Sequence, residues 1–135
     1  MRKLPPMPRQ EASSFLMVPQ VYIDKIMPGL LESEWRVLLV ILRQTWGWIS
    51  PDGLTNRKER DWISMGQFCQ KAGLHRESVS HAVQSLIGMG LIQAETEARV
   101  LLTPPELRRR NGSRVYYRLT EIPGGAHQMS RGTSE

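Results

Sequence analysis

The stretch Ala72-GLHRESVSHAVQSLIGMG-Leu91 gathers hydrogen-bonding side chains between two glycine-marked stops. On a wheel of about 100° per residue zeroed at Val79, the residues Ala82, Val83, Leu86 and Met89 fall within about 80°, with Ile87 at the flank. Glu77, Ser80, His81, Gln84 and Ser85 fall on the opposite side. Arg76 lies nearer the apolar flank, but in a first turn a long side chain can swing outward. This inventory suits the edges of nucleic-acid bases. Arg76 can offer paired donors to guanine, and Gln84 a donor and an acceptor to adenine. His75, Ser78, Ser80 and His81 can reach base edges or phosphates, whereas Glu77 repels phosphate or accepts from cytosine. The competing reading is a helix face that only meets water.

That face is poor in positive charge, so attraction to phosphate has to come from elsewhere. Leu107-RRRNGSR-Val115 supplies Arg108, Arg109, Arg110, Asn111 and Arg114, and Asn56-RKER-Asp61 supplies Arg57, Lys58 and Arg60. Fourteen of the 18 basic residues are arginine, whose planar fork matches phosphate oxygens. The formal net charge is +5, and the surplus lies in the second half: residues 1–56 hold six Lys/Arg against five Asp/Glu, the remainder twelve against eight. Basic runs also occur as solvated loops; Arg2, Lys3 and Arg9 near the N-terminus would add only nonspecific attraction.

Catalytic and metal chemistry find no comparable pattern. Cys69, His75 and His81 stand six apart with a turn between them, and His127 is remote, so no zinc spacing arises. Ile87-GMG-Leu91 is a helix end, not a phosphate loop. No enzyme activity, metal or cofactor is therefore expected, and Cys69 is read as a small helix residue. A lone cysteine excludes an internal disulfide and suits a reducing cytosol. The longest apolar run, Val37-LLVI-Leu42, is far short of a membrane span, and residues 1–20 lack the apolar core of a secretory signal. A cytoplasmic protein without membrane contact is expected.

The elements that must position these side chains follow from periodicity. Residues 1–13, with three prolines, read as a flexible arm; 14–121 as one folded domain; 122–135 as a disordered tail. A short amphipathic segment follows Val18-Pro19, with Val21, Ile23 and Ile26 as its apolar residues. Glu34 to Trp46 then forms a central helix, apolar almost all round and ended by Gly47, with Arg36 and Arg43 on its narrow polar side. The four tryptophans are read first as corner and core residues. A polar loop spans Ser50 to Asp61, and Trp62-Ile63 is strand-like. Ser64 and Gln67 make a capping box for a helix closed by Gly73. After the 75–89 helix, Gly90 gives way to a strand from Leu91 to Thr96, with Val100 to Leu102 as its expected extension. A long loop then leads to a strand over Arg114 to Thr120, alternating Val115, Tyr117 and Leu119 inward.

Two short helices around a glycine turn, followed by a two-stranded ribbon, make a mainly α fold with a small β-ribbon: a winged helix-turn-helix. In such a domain the second helix enters a major groove and the ribbon loop reaches the adjacent backbone.

The segments Phe15-LMVPQVYIDKIMPGLLESEWRVLLVILRQTWGW-Ile49 and Trp62-ISMGQFCQKAGLHRESVSHAVQSLIGMGLI-Gln93 resemble the N-terminal domain of bacteriophage replication protein O and its relatives. The Thr-Trp-Gly-Trp corner is the specific part, whereas other winged-helix regulators share the Ala-Gly-Leu frame. The resemblance implies a domain that binds double-stranded DNA, often at repeats in a replication origin of a phage, plasmid or integrated element, alongside replication proteins. By position it implies a recognition helix carrying His75, Arg76, Glu77, Ser78, Ser80, His81 and Gln84, and a wing from Arg108 to Arg114. A DNA-reading domain of this size often works as a homodimer or on repeated sites. A transcriptional regulator and a winged-helix protein-interaction module are the rival readings.

Overall fold

In the computed structural model, residues 2–5, 16–46 and 57–120 are described. The expected helix stop at Gly47, most of the polar loop, most of the arm and the C-terminal tail lie outside those residues.

The chain enters through a short helical segment, α1 (Tyr22–Ile26), wound as a π-turn and followed by a 3₁₀ turn over Met27–Gly29. Of the expected apolar residues, Val21 and Ile26 pack against the core and Ile23 does not. Tyr22 is buried, whereas Ile23 is 41% exposed, because the wider π-turn shifts which residues face inward. Burial pushes the Tyr22 phenol up to about 12.

α2 (Glu32–Thr45) is the axis of the domain. Val37, Leu38, Val40, Ile41 and Leu42 are buried, and Trp35, Leu39 and Trp46 pack at the edge of the core. The helix begins two residues earlier than the apolar pattern indicates. Glu34 Oε1 accepts from the Leu31 N–H at 2.9 Å, which satisfies one of the donors a helix start leaves open.

α3 (Met65–Ala72) has the predicted capping box: the Gln67 N–H donates to Ser64 Oγ at 3.1 Å, and Gln67 Oε1 accepts from the Ser64 N–H at 2.9 Å. Gly73 closes it at φ +68°, a left-handed conformation that favours glycine. α4 (Arg76–Gly88) buries Val79, Ala82, Val83 and Leu86 against α2 and α3, the stripe its periodicity predicts. Its end is a Schellman turn: the Gly90 N–H donates to Ile87 O and the Leu91 N–H to Leu86 O. Arg36 on α2 donates through Nη1 to Ala72 O and Gly73 O, at 3.1 and 3.3 Å. A cation thus sits on the open carbonyls at the α3 C-terminus and ties the turn to α2.

Three short strands form one antiparallel sheet in the order β1 (Asp61–Trp62), β3 (Tyr116–Leu119), β2 (Ile92–Glu95). Trp62 pairs with Tyr116, and Ala94 with Tyr117. Tyr117 turns inward and meets Phe68 edge-on, with ring centroids 5.1 Å apart. The fold is the winged helix that the element order predicts.

The connection from β2 to β3 departs from expectation twice. Val100 to Leu102 does not extend β2. The chain reverses at Thr96 to Val100, with Arg99 at φ +70°, and Leu101 comes back beside Glu95. The expected wing loop over Arg108 to Arg110 is instead helical, α5 (Pro105–Arg110). Pro104 and Pro105 supply the fixed φ of a helix start, Glu106 sits in the first turn and three arginines in the last, each matching the helix dipole.

Candidate nucleic-acid interface

The polar face of α4 stands where its periodicity places it. His75, Arg76, Glu77 and His81 are exposed, and Ser78, Ser80 and Gln84 are half-buried. His75 occupies the N-cap position in extended conformation without a side-chain capping bond. α5 lies along one flank of this face. Glu77, Ser80, His81 and Gln84 of α4, with Pro105 and Arg109 of α5, line a shared groove of about 440 Å³.

Neighbouring arginines of α5 have different occupations. Arg108 is half-buried and donates through Nη2 to Gln84 Oε1 at 2.9 Å. Its Nη1 donates to Leu102 O and Thr103 O, at 3.0 and 2.8 Å. Desolvation by burial draws its pKa below the ordinary arginine value. Arg108 therefore fastens α5 to α4, and Gln84 has one acceptor engaged within the fold. Arg109 and Arg110 are exposed, and their guanidinium groups, like that of Arg76, make no hydrogen bond or ion pair among the described residues.

Beyond α5, Asn111 Nδ2 donates to Ser113 O at 2.7 Å, which shapes the bend before β3. Arg114 is exposed and lies over the Trp62 ring at 4.3 Å. A second and larger cleft of about 580 Å³ opens here, between the first half of α4, the start of α3 and the α5–β3 connection.

The segment from Arg57 to Arg60 is divided between surface and interior. Arg57 stacks on Trp46 at 4.0 Å, and Lys58 Nζ is 3.5 Å from Asp61 Oδ2. Arg60 turns inward: it donates to Glu95 Oε2, Thr96 O and Glu97 O, each at 3.0 Å, and covers the Tyr116 ring at 4.4 Å. Its donors are engaged at the sheet edge, whereas the sequence offered Arg60 as a possible phosphate contact.

Glu95, only 2% exposed, was not singled out by its pattern. Arg60, Arg99 and Arg118 surround its carboxylate at 3.0, 3.3 and 3.4 Å. Arg99 also reaches Glu59 at 3.0 Å, and that hydrogen-bonded pair holds the Glu59 carboxyl below its usual range and raises Arg99. No sequence spacing announces this cluster, because its members come from the β1 approach, β2, the turn after it and β3. α5 did carry a signal: two prolines, an acid and three basic residues in helix-dipole order.

Among the described residues, no group of three or more His, Cys, Asp or Glu side chains gathers where it could hold a metal, and no helix is long and apolar enough to cross a membrane. What the surface does offer is an edge of hydrogen-bonding side chains flanked by arginines. Comparison with curated proteins found no match, and comparison with solved structures found none. A family model described as bacteriophage replication protein O matches residues 15–102, well over half the chain, and the chain belongs to that family.

Proposed function

We propose that this chain binds double-stranded DNA, with α4 in the major groove and the α5–β3 connection on the neighbouring backbone, at repeats of a replication-origin type. The observation that carries the reading is the pairing of the exposed polar face of α4 with the uncommitted guanidinium groups of Arg76 and Arg109 at one edge. The two surfaces divide the work. Arg76, Glu77, Ser80 and His81 are placed to choose among base edges, and Gln84 joins them once Arg108 releases its oxygen. Arg109, Arg110 and Arg114 supply the sequence-independent attraction to phosphate. The reading needs no catalytic residue and no cofactor. Cytoplasmic residence, a second copy on adjacent repeats and replication proteins as partners follow from the same proposal.

The test is binding to labelled duplex, including DNA flanking the chain's own gene, across a salt series. Affinity should fall steeply with salt, and Arg109→Ala with Arg110→Ala should flatten the logarithmic slope by about two units, one per phosphate contact. Failure to bind any duplex at every salt concentration would overturn the reading in favour of a protein-interaction module.

A further inference from the structure

The larger cleft beside α4 combines an apolar lining with arginines. Its apolar floor is offered by the half-buried Trp62, Met65 and Val115, and its rim carries the exposed Arg76, Arg109 and Arg114. Tyr117 also lines it. That residue is 7% exposed, and its hydroxyl makes no hydrogen bond among the described residues. No buried side-chain oxygen among the described residues lacks a partner, so this unpartnered hydroxyl is solvent-accessible and open to a ligand acceptor. The volume of about 580 Å³ lies within the range of small-ligand sites, and Pro105, Arg108 and Arg109 of α5 line one side.

Guanidinium groups around an apolar floor match two parts of one ligand. The arginine forks suit a phosphate, and the floor suits the flat face of a base. Arg114, already over the Trp62 ring at 4.3 Å, offers a cationic surface for a base at the mouth. A phosphate on intact duplex would engage the rim and leave floor and phenol unfilled. We infer that this cleft takes an unpaired nucleotide of single-stranded DNA, its base on the apolar floor within reach of the Tyr117 hydroxyl and its phosphate on the arginine rim. This goes beyond the duplex reading and does not require it, although Arg76 and Arg109 serve both surfaces.

Three probes test it: a twelve-residue oligothymidylate, an abasic oligomer of the same length, and a blunt duplex. Tyr117→Phe removes only the hydroxyl, keeps the ring against Phe68, and touches no residue assigned to duplex; circular dichroism verifies its fold. Oligothymidylate should bind the wild type, about fivefold more weakly in Tyr117→Phe, with duplex affinity unmoved. The abasic oligomer should bind about tenfold more weakly than oligothymidylate. No binding of oligothymidylate, equal affinity of the two oligomers, or a Tyr117→Phe loss shared by duplex would each overturn the inference. In every such case duplex binding by the wild type decides the earlier proposal separately.

Discussion

Two groups of arginines in this domain share a side chain and differ in what surrounds it. Arg60, Arg99 and Arg118 converge on one buried carboxylate, and each also bonds a further group: Arg60 donates to backbone carbonyls, Arg99 to the Glu59 carboxylate and Arg118 to the Gln93 side chain. Arg76, Arg109 and Arg110 point outward with no hydrogen bond or ion pair among the described residues. The first group spends its donors on a single conformation of the sheet; the second keeps them for something outside. A basic composition therefore does not measure a nucleic-acid footprint. In the proposed duplex reading the guanidinium groups left over after the fold is satisfied form that footprint, and Arg60 and Arg108 are engaged within the fold instead.

The sharpest way to break this comparison is to remove the carboxylate. Glu95→Gln leaves three guanidinium groups around a neutral, buried amide, and losing one partner of a buried pair costs about 3–5 kcal/mol. The urea midpoint should fall accordingly. If instead it moved by no more than a surface substitution does, the inward arginines would be as dispensable as the outward ones.

A smaller effect should separate two adjacent residues of α5. Arg108→Ala deletes bonds to two carbonyls and to Gln84, and it should cost about 1.5–3 kcal/mol of unfolding free energy while freeing Gln84. Arg109→Ala should change stability by less than about 0.5 kcal/mol, yet weaken duplex binding and lower its salt slope by about one unit. Chemical denaturation and salt titration on the same two variants give opposite rankings if the division between structural and free arginines is correct.

Where the sequence was legible, its signals were local. The Ser64–Gln67 box, Gly73 at φ +68° and the stripe Val79, Ala82, Val83, Leu86 each state their geometry within one or two turns. The polar-face residues of α4 could be named because 3.6-residue periodicity separates wet from dry faces. The connection between β2 and β3 was not legible in the same way. Its reversal at Arg99 rests on contacts with Glu59 and Glu95, forty and four residues away. α5 is too short to show periodicity, so its three arginines read as a loop although its proline start and charge order were present. Arg36 looked like a solvent-side residue of α2, and only the three-dimensional position of the α3 terminus reveals its role.

The smallest effect concerns the outermost pair of the inward group, Glu59 with Arg99. The hydrogen bond and charge of Arg99 depress the Glu59 pKa in the folded state. A carboxylate whose folded pKa lies below its unfolded value contributes its stability above the unfolded value. It loses that contribution as pH falls through the folded one. Both side chains are at least half exposed, so solvent and salt screen most of the attraction. Thermal melts of wild type and Glu59→Gln should therefore differ slightly at neutral pH and low salt, and converge below the carboxylate range and in high salt. The contrast with Glu95→Gln is then one of burial and of partners: two carboxylates bind the same Arg99, and only the buried one, which Arg60 and Arg118 also hold, should be costly to lose. Equal losses in the two variants would mean that Arg99, rather than the buried position of Glu95, holds the reversal in place.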